Sequence, residues 1–446
     1  MLVPLLPLLL ACQTPSPPVD MAPAAPSAQD DSEPDDPDDE LPDGDADLVE
    51  EIGGRPVEEL ERARKKRRPK RPPAPATNAD KPALVAPRRT VPPGTYTPWA
   101  PPQRGTRTGV FLGAQIFSGW VVSSSETGAN LAHQFFLERA EVGGGFQFNR
   151  TFAGLVRLET YRAADGLMPR LRLAYGAFSP QVDAWGAPLH FDVRAGLVPE
   201  IWLESLEGRY GLRGLMALPS ERLGLVNVSD LGVSAGVNLA DGLVDIRAQF
   251  VNGEGHTALE TGMPKNLSAL VIVRPLSADV LDDRLEVGGQ IGAREGGVGA
   301  TGVADRRVQG ALFASHGLFH LGAEANMAFG VNGDADRTVV LMGGWGDAAI
   351  VPGWLSVLAR YDFLLGNVDG SDALGHDVIV GLFSDFGVQR APVLRRMRLY
   401  TSFEARAVGA GAGPLPNLPP PGTELRGLVV LEATGLTDVF APWRRR

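Results

Sequence analysis

The chain has 446 residues, 44% of them hydrophobic, with 54 glycines and a formal net charge of -11. That much apolar material excludes wholesale disorder, and the acidic balance argues against general nucleic-acid binding. A single cysteine excludes a disulfide framework, and with no apolar run near the roughly 20 residues of a spanning helix, any bilayer crossing must be made by strands.

The first predicted segment, residues 1–12, ends in Leu8-Leu9-Leu10-Ala11-Cys12, a short apolar run that resembles a bacterial lipoprotein signal cleaved before the cysteine. Lipid on Cys12 would anchor the mature N-terminus, and Gln13 rather than Asp after it favours the outer membrane. The competing reading is a start site placed elsewhere, because no Lys or Arg precedes the apolar run. Residues 13–107 are crowded with Pro and charge, acidic from Asp30 to Asp47 and basic from Arg62 to Arg71, and read as a mostly disordered periplasmic linker. A short helix fits Leu48 to Lys66, where Val57, Leu60 and Arg64 follow helical spacing and Pro69 stops the run. The block Lys65-Lys66-Arg67-Arg68 reads as solvated charge, with anionic lipid or cell-wall polymer as the alternative.

From residue 108 to 446 the pattern changes to segments of about ten residues that alternate polar and apolar, the signature of transmembrane β-strands. In 285–294, Glu286, Gln290 and Arg294 fall on one face while Leu285, Val287, Ile291 and Ala293 fall on the other. Strands are predicted at 110–117, 134–147, 152–162, 169–178, 188–198, 229–239, 243–251, 267–274, 284–294, 308–315, 318–328, 338–346, 354–364, 376–385, 398–408 and 424–434. The predicted fold is therefore all-β, a 16-stranded antiparallel transmembrane β-barrel preceded by a disordered N-terminal segment. Short links follow even strands at Asn149-Arg150, Ala240-Asp241-Gly242 and His316-Gly317. Long links follow odd strands at 252–266, 295–307, 366–375 and 409–422, with the longest from Pro199 to Ser229. With both termini periplasmic, the long links belong on the extracellular side.

Alternation also sorts the side chains. Arg157, Glu159, Arg170, Arg172, His190, Asp192, Arg194, Asp245, Arg247 and Gln249 are expected to face the lumen. So are Glu286, Gln290, Arg294, Arg360, Asp362, Arg398, Glu404, Arg406, Glu424 and Arg426. Val156, Leu158, Leu171, Leu173, Val193, Ile246, Val287, Ile291, Val357, Tyr361, Leu399, Phe403, Leu425 and Val429 are expected to face lipid. Arginines opposite carboxylates across a wet pore would let ions or small hydrophilic solutes, anions among them, pass. The same pairs would otherwise be internal salt bridges of a closed structural lipoprotein barrel whose linker binds the envelope. In the longest link, Trp202, Glu204, Glu207, Arg209, Tyr210, Arg213 and Arg222 suit a constriction, with an ordinary surface loop as the alternative.

Several runs, in order along residues 135–363, resemble the phosphate-selective porin O/P family. They are Phe135-Phe136-Leu137-Glu138-Arg139-Ala140-Glu141-Val142-Gly143-Gly144, Val193-Arg194-Ala195-Gly196-Leu197-Val198-Pro199, Ser229-Asp230-Leu231-Gly232-Val233, Phe250-Val251-Asn252-Gly253-Glu254-Gly255 and Ala359-Arg360-Tyr361-Asp362. The resemblance implies a homotrimeric sixteen-stranded outer-membrane channel guiding anions with arginines and lysines, its third outer loop folded into the lumen. Here Lys265 is the only lysine of the barrel region, and Phe440 and Trp443 precede Arg444-Arg445-Arg446 where such barrels end in an aromatic residue.

Other signals are set aside, and neither metal nor cofactor is expected. Gly297-Val298-Gly299-Ala300-Thr301-Gly302 fits a nucleotide-loop spacing without the following helix and reads as a flexible outer loop. His316 and His320 share strand parity without a third clustered ligand, and Asn332-Gly333-Asp334-Ala335-Asp336 lacks the distal Glu of a calcium loop. No G-x-S-x-G elbow occurs, so the expectation is that the protein is not an enzyme.

Overall fold

The computed structural model describes residues 109–440, apart from 126–127, 150, 164–165, 185–186, 254, 256–264, 282, 299–302, 332–335, 367–373, 387–393 and 410–421. Cys12, the 13–107 segment with its helix and basic block, most of 332–336, and Trp443 with the closing arginines lie outside the described residues.

Sixteen strands build one wall. They are β1 (Gly109–Ser125), β2 (Gly128–Gln147), β3 (Phe152–Ala163), β4 (Gly166–Phe178), β5 (Ala187–Pro199), β6 (Ser229–Leu239), β7 (Val244–Val251) and β8 (Asn266–Val280). Then come β9 (Asp283–Glu295), β10 (Arg306–His316), β11 (Phe319–Phe329), β12 (Thr338–Val351), β13 (Leu355–Gly366), β14 (Leu374–Phe386), β15 (Leu394–Val408) and β16 (Gly422–Phe440). Each pairs antiparallel with its neighbours, and β1 closes on β16 with Val110 opposite Phe440 and Ser125 opposite Glu424. Closure pairs the two end strands with each other, the condition a sheet must meet in lipid. A short strand, Gln181–Ala184, extends the β4 side of β5.

Period-two patterning sets the two faces. On β9, Glu286, Gln290 and Arg294 are buried while Ile291 is 63% exposed. Val156, Leu158, Leu171, Val193, Ile246, Val357, Tyr361, Leu399, Phe403 and Leu425 are likewise exposed on the outer face. Leu173 departs from the expectation. Arg157 pairs with Leu173 and Leu158 with Leu171, so a bulge at Arg172 puts Arg172 and Leu173 both inside, where Leu173 packs on Phe111 and Leu155.

Two links expected to be long are short. β1 and β2 have 17 and 20 residues, so only residues 126–127 separate them, and β3 meets β4 across residues 164–165. Trp120-Val121-Val122 and Phe135-Phe136-Leu137 are good strand formers with no proline between them, so the pairing runs on where a long link was expected. Gly297–Val298 also pairs with Val303–Ala304 as a small hairpin rather than an open loop.

Candidate functional site

The segment between β5 and β6 leaves the wall and enters the barrel. Its neck is fastened by Glu200 N–H donating to the Val228 carbonyl at 3.0 Å and by Gln249 Nε2 donating to the Pro199 carbonyl at 2.9 Å. α1 (Ile201–Glu207) begins where the Glu200 carboxylate accepts from Trp202 N–H, and α2 (Pro219–Arg222) begins on a proline whose missing N–H is not needed there. Trp202, Leu203, Leu206, Leu212 and Leu218 are fully buried, packed with Leu270, Ile272, Leu341, Leu358 and Ile379 from the strands. Each such side chain contributes about 1.5–3 kcal/mol by leaving water, so the insert is a packed element of the interior. It lies so close to the wall that a Cβ on Gly211 would collide with Asp347, and one on Gly214 with Glu432 and Tyr400.

Polar groups fix the insert at defined points. Glu324 on β11 accepts from Trp202 Nε1 at 3.2 Å, Ser220 N–H at 2.9 Å and Ser220 Oγ at 3.2 Å. Arg209 pairs with Glu286 at 2.7 Å and lies 4.1 Å over the Phe313 ring. Arg222 meets Asp377 at 2.6 Å and also binds Glu404, which Arg406 contacts at 2.6 Å. Arg360 donates to both Asp362 oxygens at 2.9 Å and reaches the Tyr210 hydroxyl. Arg398 donates to the Gly211 carbonyl at 3.2 Å and to the Tyr400 hydroxyl, which donates to Glu432 at 2.9 Å.

On the opposite side the insert faces β2–β4 across a narrow cleft, lined there by Arg157, Arg172, Tyr175, Glu204 and Glu207 among apolar side chains. The wall carries an arginine cluster. Arg157 binds Glu141, Arg170 pairs with Glu159 at 2.6 Å, and Arg172 pairs with Glu159 at 2.6 Å and Glu141 at 3.3 Å. The insert presents Glu207, 3.7 Å from Arg172, and Glu221, 3.9 Å from both Arg172 and Arg139. Burial alone would raise the Glu221 carboxyl, but Arg213, Arg139 and Arg172 outweigh it and hold it at about 2. Nearer the neck, Glu204 takes Arg194 at 2.6 Å and Arg247 at 3.0 Å, while Arg247 also holds Asp245 at 2.9 Å.

The polar residues predicted along the strands thus lie inside the wall in two settings. Glu286, Arg294, Arg360, Asp362 and Arg398 sit beneath the insert, and Arg170, Arg194, Arg247 and Arg406 retain partial exposure. Of the seven insert residues expected at a constriction, Trp202, Arg209 and Tyr210 are instead enclosed, because their rings and the Arg209 guanidinium are sandwiched against the wall. Arg213 and Arg222 remain partly exposed. Glu141, Glu221, Glu324, Asp377 and Glu432 were not singled out from sequence; for Glu141, Glu324 and Glu432, strand parity was the available signal. His320 faces Asp347 at 3.1 Å, and His316 Nε2 lies 2.8 Å from the Val280 carbonyl.

No family model and no curated relative matches the chain. Solved structures do. OmpF of Salmonella typhi, determined in complex with daunomycin, is 11% identical with a TM-score of 0.50 over 74% of this chain and 98% of that one. The anion-selective porin from Comamonas acidovorans is 12% identical with a TM-score of 0.48, over 73% and 99% of the two chains. OpdQ of Pseudomonas aeruginosa is 9% identical with a TM-score of 0.41, over 75% and 98%. The likeness to OmpF is one of fold: the wall is a porin-like, sixteen-stranded closed barrel.

Proposed function

We propose that the protein is a passive outer-membrane channel for ions and small hydrophilic solutes, and that the route runs through the cleft between the insert and β2–β4. The observation that carries this reading is the cleft itself, a gap with arginines on one wall and carboxylates on the other inside a closed barrel. Such opposed charges create a transverse field, which favours polar solutes and orders water across a narrow passage. Arg139, Arg157, Arg170, Arg172 and Arg213 are matched there by Glu141, Glu159, Glu204, Glu207 and Glu221, so an anion preference in this reading is weak and comes from the arginines of the wall. Phosphate selectivity of the kind the sequence resemblance implies would have to come from these arginines, since Lys265 contacts Asn252 in the β7–β8 link. In this reading residues 1–12 direct lipidation of Cys12, residues 13–107 are a periplasmic linker, residues 108–446 are the barrel, and three copies assemble in the membrane.

The second reading, a sealed structural barrel, is favoured by the apolar packing of the insert and by the arginines already engaged with carboxylates. The two readings separate on charge reversal. Replacing Arg157, Arg194 and Arg247 together with Glu should invert the sign of the reversal potential in asymmetric KCl. A conducting triple variant with an unchanged sign would take the route away from this cleft, and a sealed barrel would carry no current in either form.

A further inference from the structure

One stretch of the wall has a neighbour on one side only. Ala132 to Arg139 of β2 pair with Ser123 to Phe117 of β1, but pairing of β2 with β3 stops at Ala140 opposite Thr160, and β3 turns into β4 where Ala163 meets Gly166. Beyond that point β2 pairs with no strand but β1 among the described residues. At about 3.3 Å per residue, 131–139 presents an open edge of backbone donors and acceptors about 30 Å long. Two other strands outrun a neighbour, and both are guarded. β8 continues past its last pair with β7, Val273 opposite Val244, into Pro275 and Asp279. β4 extends beyond its last pair with β5, Ala174 opposite Leu197, and carries Arg170 and Pro169 there. Proline withholds a donor and charge resists burial, which is how sheets keep further strands away. On β2, Leu131-Ala132-His133-Gln134-Phe135-Phe136-Leu137 contains no proline, carboxylate, lysine or arginine. Leu131 is 66% exposed, and Phe135, opposite Trp120, is 88% exposed, whereas Phe136 packs against the core. Glu138, at the base of the edge, is also exposed.

We propose that the open edge of β2 is a docking strand for an extended segment of another protein, which adds to the sheet antiparallel to β2, in line with β3. Its backbone pairs with the edge, its apolar residues alternate so as to lie beside Leu131 and Phe135, and a basic residue at its N-terminal end meets Glu138. A second copy of this chain does not fit. Antiparallel pairing of two such edges turns one barrel upside down in the membrane, and parallel pairing joins the lipid side of one wall to the lumen side of the other. The inference takes the membrane orientation from the channel reading and does not require conduction.

The test uses the full chain in nanodiscs and the fluorescence anisotropy of a labelled nonapeptide, lysine followed by alternating valine and threonine. Saturable binding is expected, with none for the fully N-methylated peptide, which keeps the side chains but cannot donate hydrogen bonds. Leu131→Lys combined with Phe135→Lys should weaken binding by about tenfold or more. Leu281→Lys, at the 79% exposed leucine of the β8–β9 turn, should leave it unchanged. Glu138→Gln should remove the preference for lysine at the N-terminal rather than the C-terminal end of the peptide. Heat-modifiable migration on gels reports that each variant is folded. No saturable binding by the folded parent, equal binding of the N-methylated peptide, or indifference to the two lysines would overturn the proposal. A dimer of the parent that the two lysines disperse would overturn it as well, because a second copy would then be the occupant.

Discussion

Glu324 shows how single residues govern the interior. Three donors from the insert converge on its carboxylate, and all are buried away from water. Glu324→Leu would orphan Trp202 Nε1 and both Ser220 donors, and each unsatisfied group costs about 1–3 kcal/mol. The variant should therefore unfold at lower urea in vesicles, with Glu324→Gln falling between it and the parent; an unchanged midpoint would contradict the anchoring role. Glu221 sets the acid limit. Its folded-state value of about 2 lies below the ordinary 4.5, so its ionised form contributes its full stabilisation above pH about 4.5 and loses it as pH falls through about 2. The part of the insert's docking that Glu221 supplies should weaken only below about pH 4.5, a component that Glu221→Gln should abolish when conductance is followed against pH. A transition near neutral pH that Glu221→Gln removes would contradict the ion-pair geometry at Glu221. Leu173 and Trp202 mark what a residue-by-residue reading misses. Alternation assigns Leu173 to lipid because a bulge leaves no trace in a single strand's pattern, and a tryptophan in a long link looks the same whether it lines a passage or fills a core.

At the scale of elements, the wall was the legible part. On β9 polar and apolar faces alternate and Glu286 and Gln290 turn inward, as do Arg360 and Asp362 on β13 beside Leu358 and Leu364. Ile291 points outward from β9, so Ile291→Arg should cost about 2–4 kcal/mol if that position lies near the bilayer midplane. Urea titration of the barrel refolded into vesicles measures it; a loss well under 1 kcal/mol would mean that this face does not meet lipid. The links were less legible than the strands. Where β1 runs into β2, strand propensity extended the pairing through residues taken for a loop. The β5–β6 segment was recognised by its length and charges, while its leucines, from Leu203 and Leu206 to Leu212, Leu215 and Leu218, carried the stronger message that it would be buried.

Taken whole, the molecule is a closed wall around a divided lumen. Near β8–β16 the insert is packed into the wall by an apolar core and buried ion pairs, and against β2–β4 it leaves a charged cleft. The fold followed from period-two patterning because lipid outside and polar groups inside impose it on every strand. The site did not, because its pairing depends on which residues of a 29-residue span, 200–228, meet which strands across the barrel, contacts separated by up to 187 positions. Passage through that cleft is the claim on which the account turns, and conductance of the purified, heat-modifiable barrel in planar bilayers tests it most directly. Discrete current steps with a small anion preference in asymmetric KCl are the expected result. A correctly folded barrel that inserts into the bilayer and passes no current would contradict it.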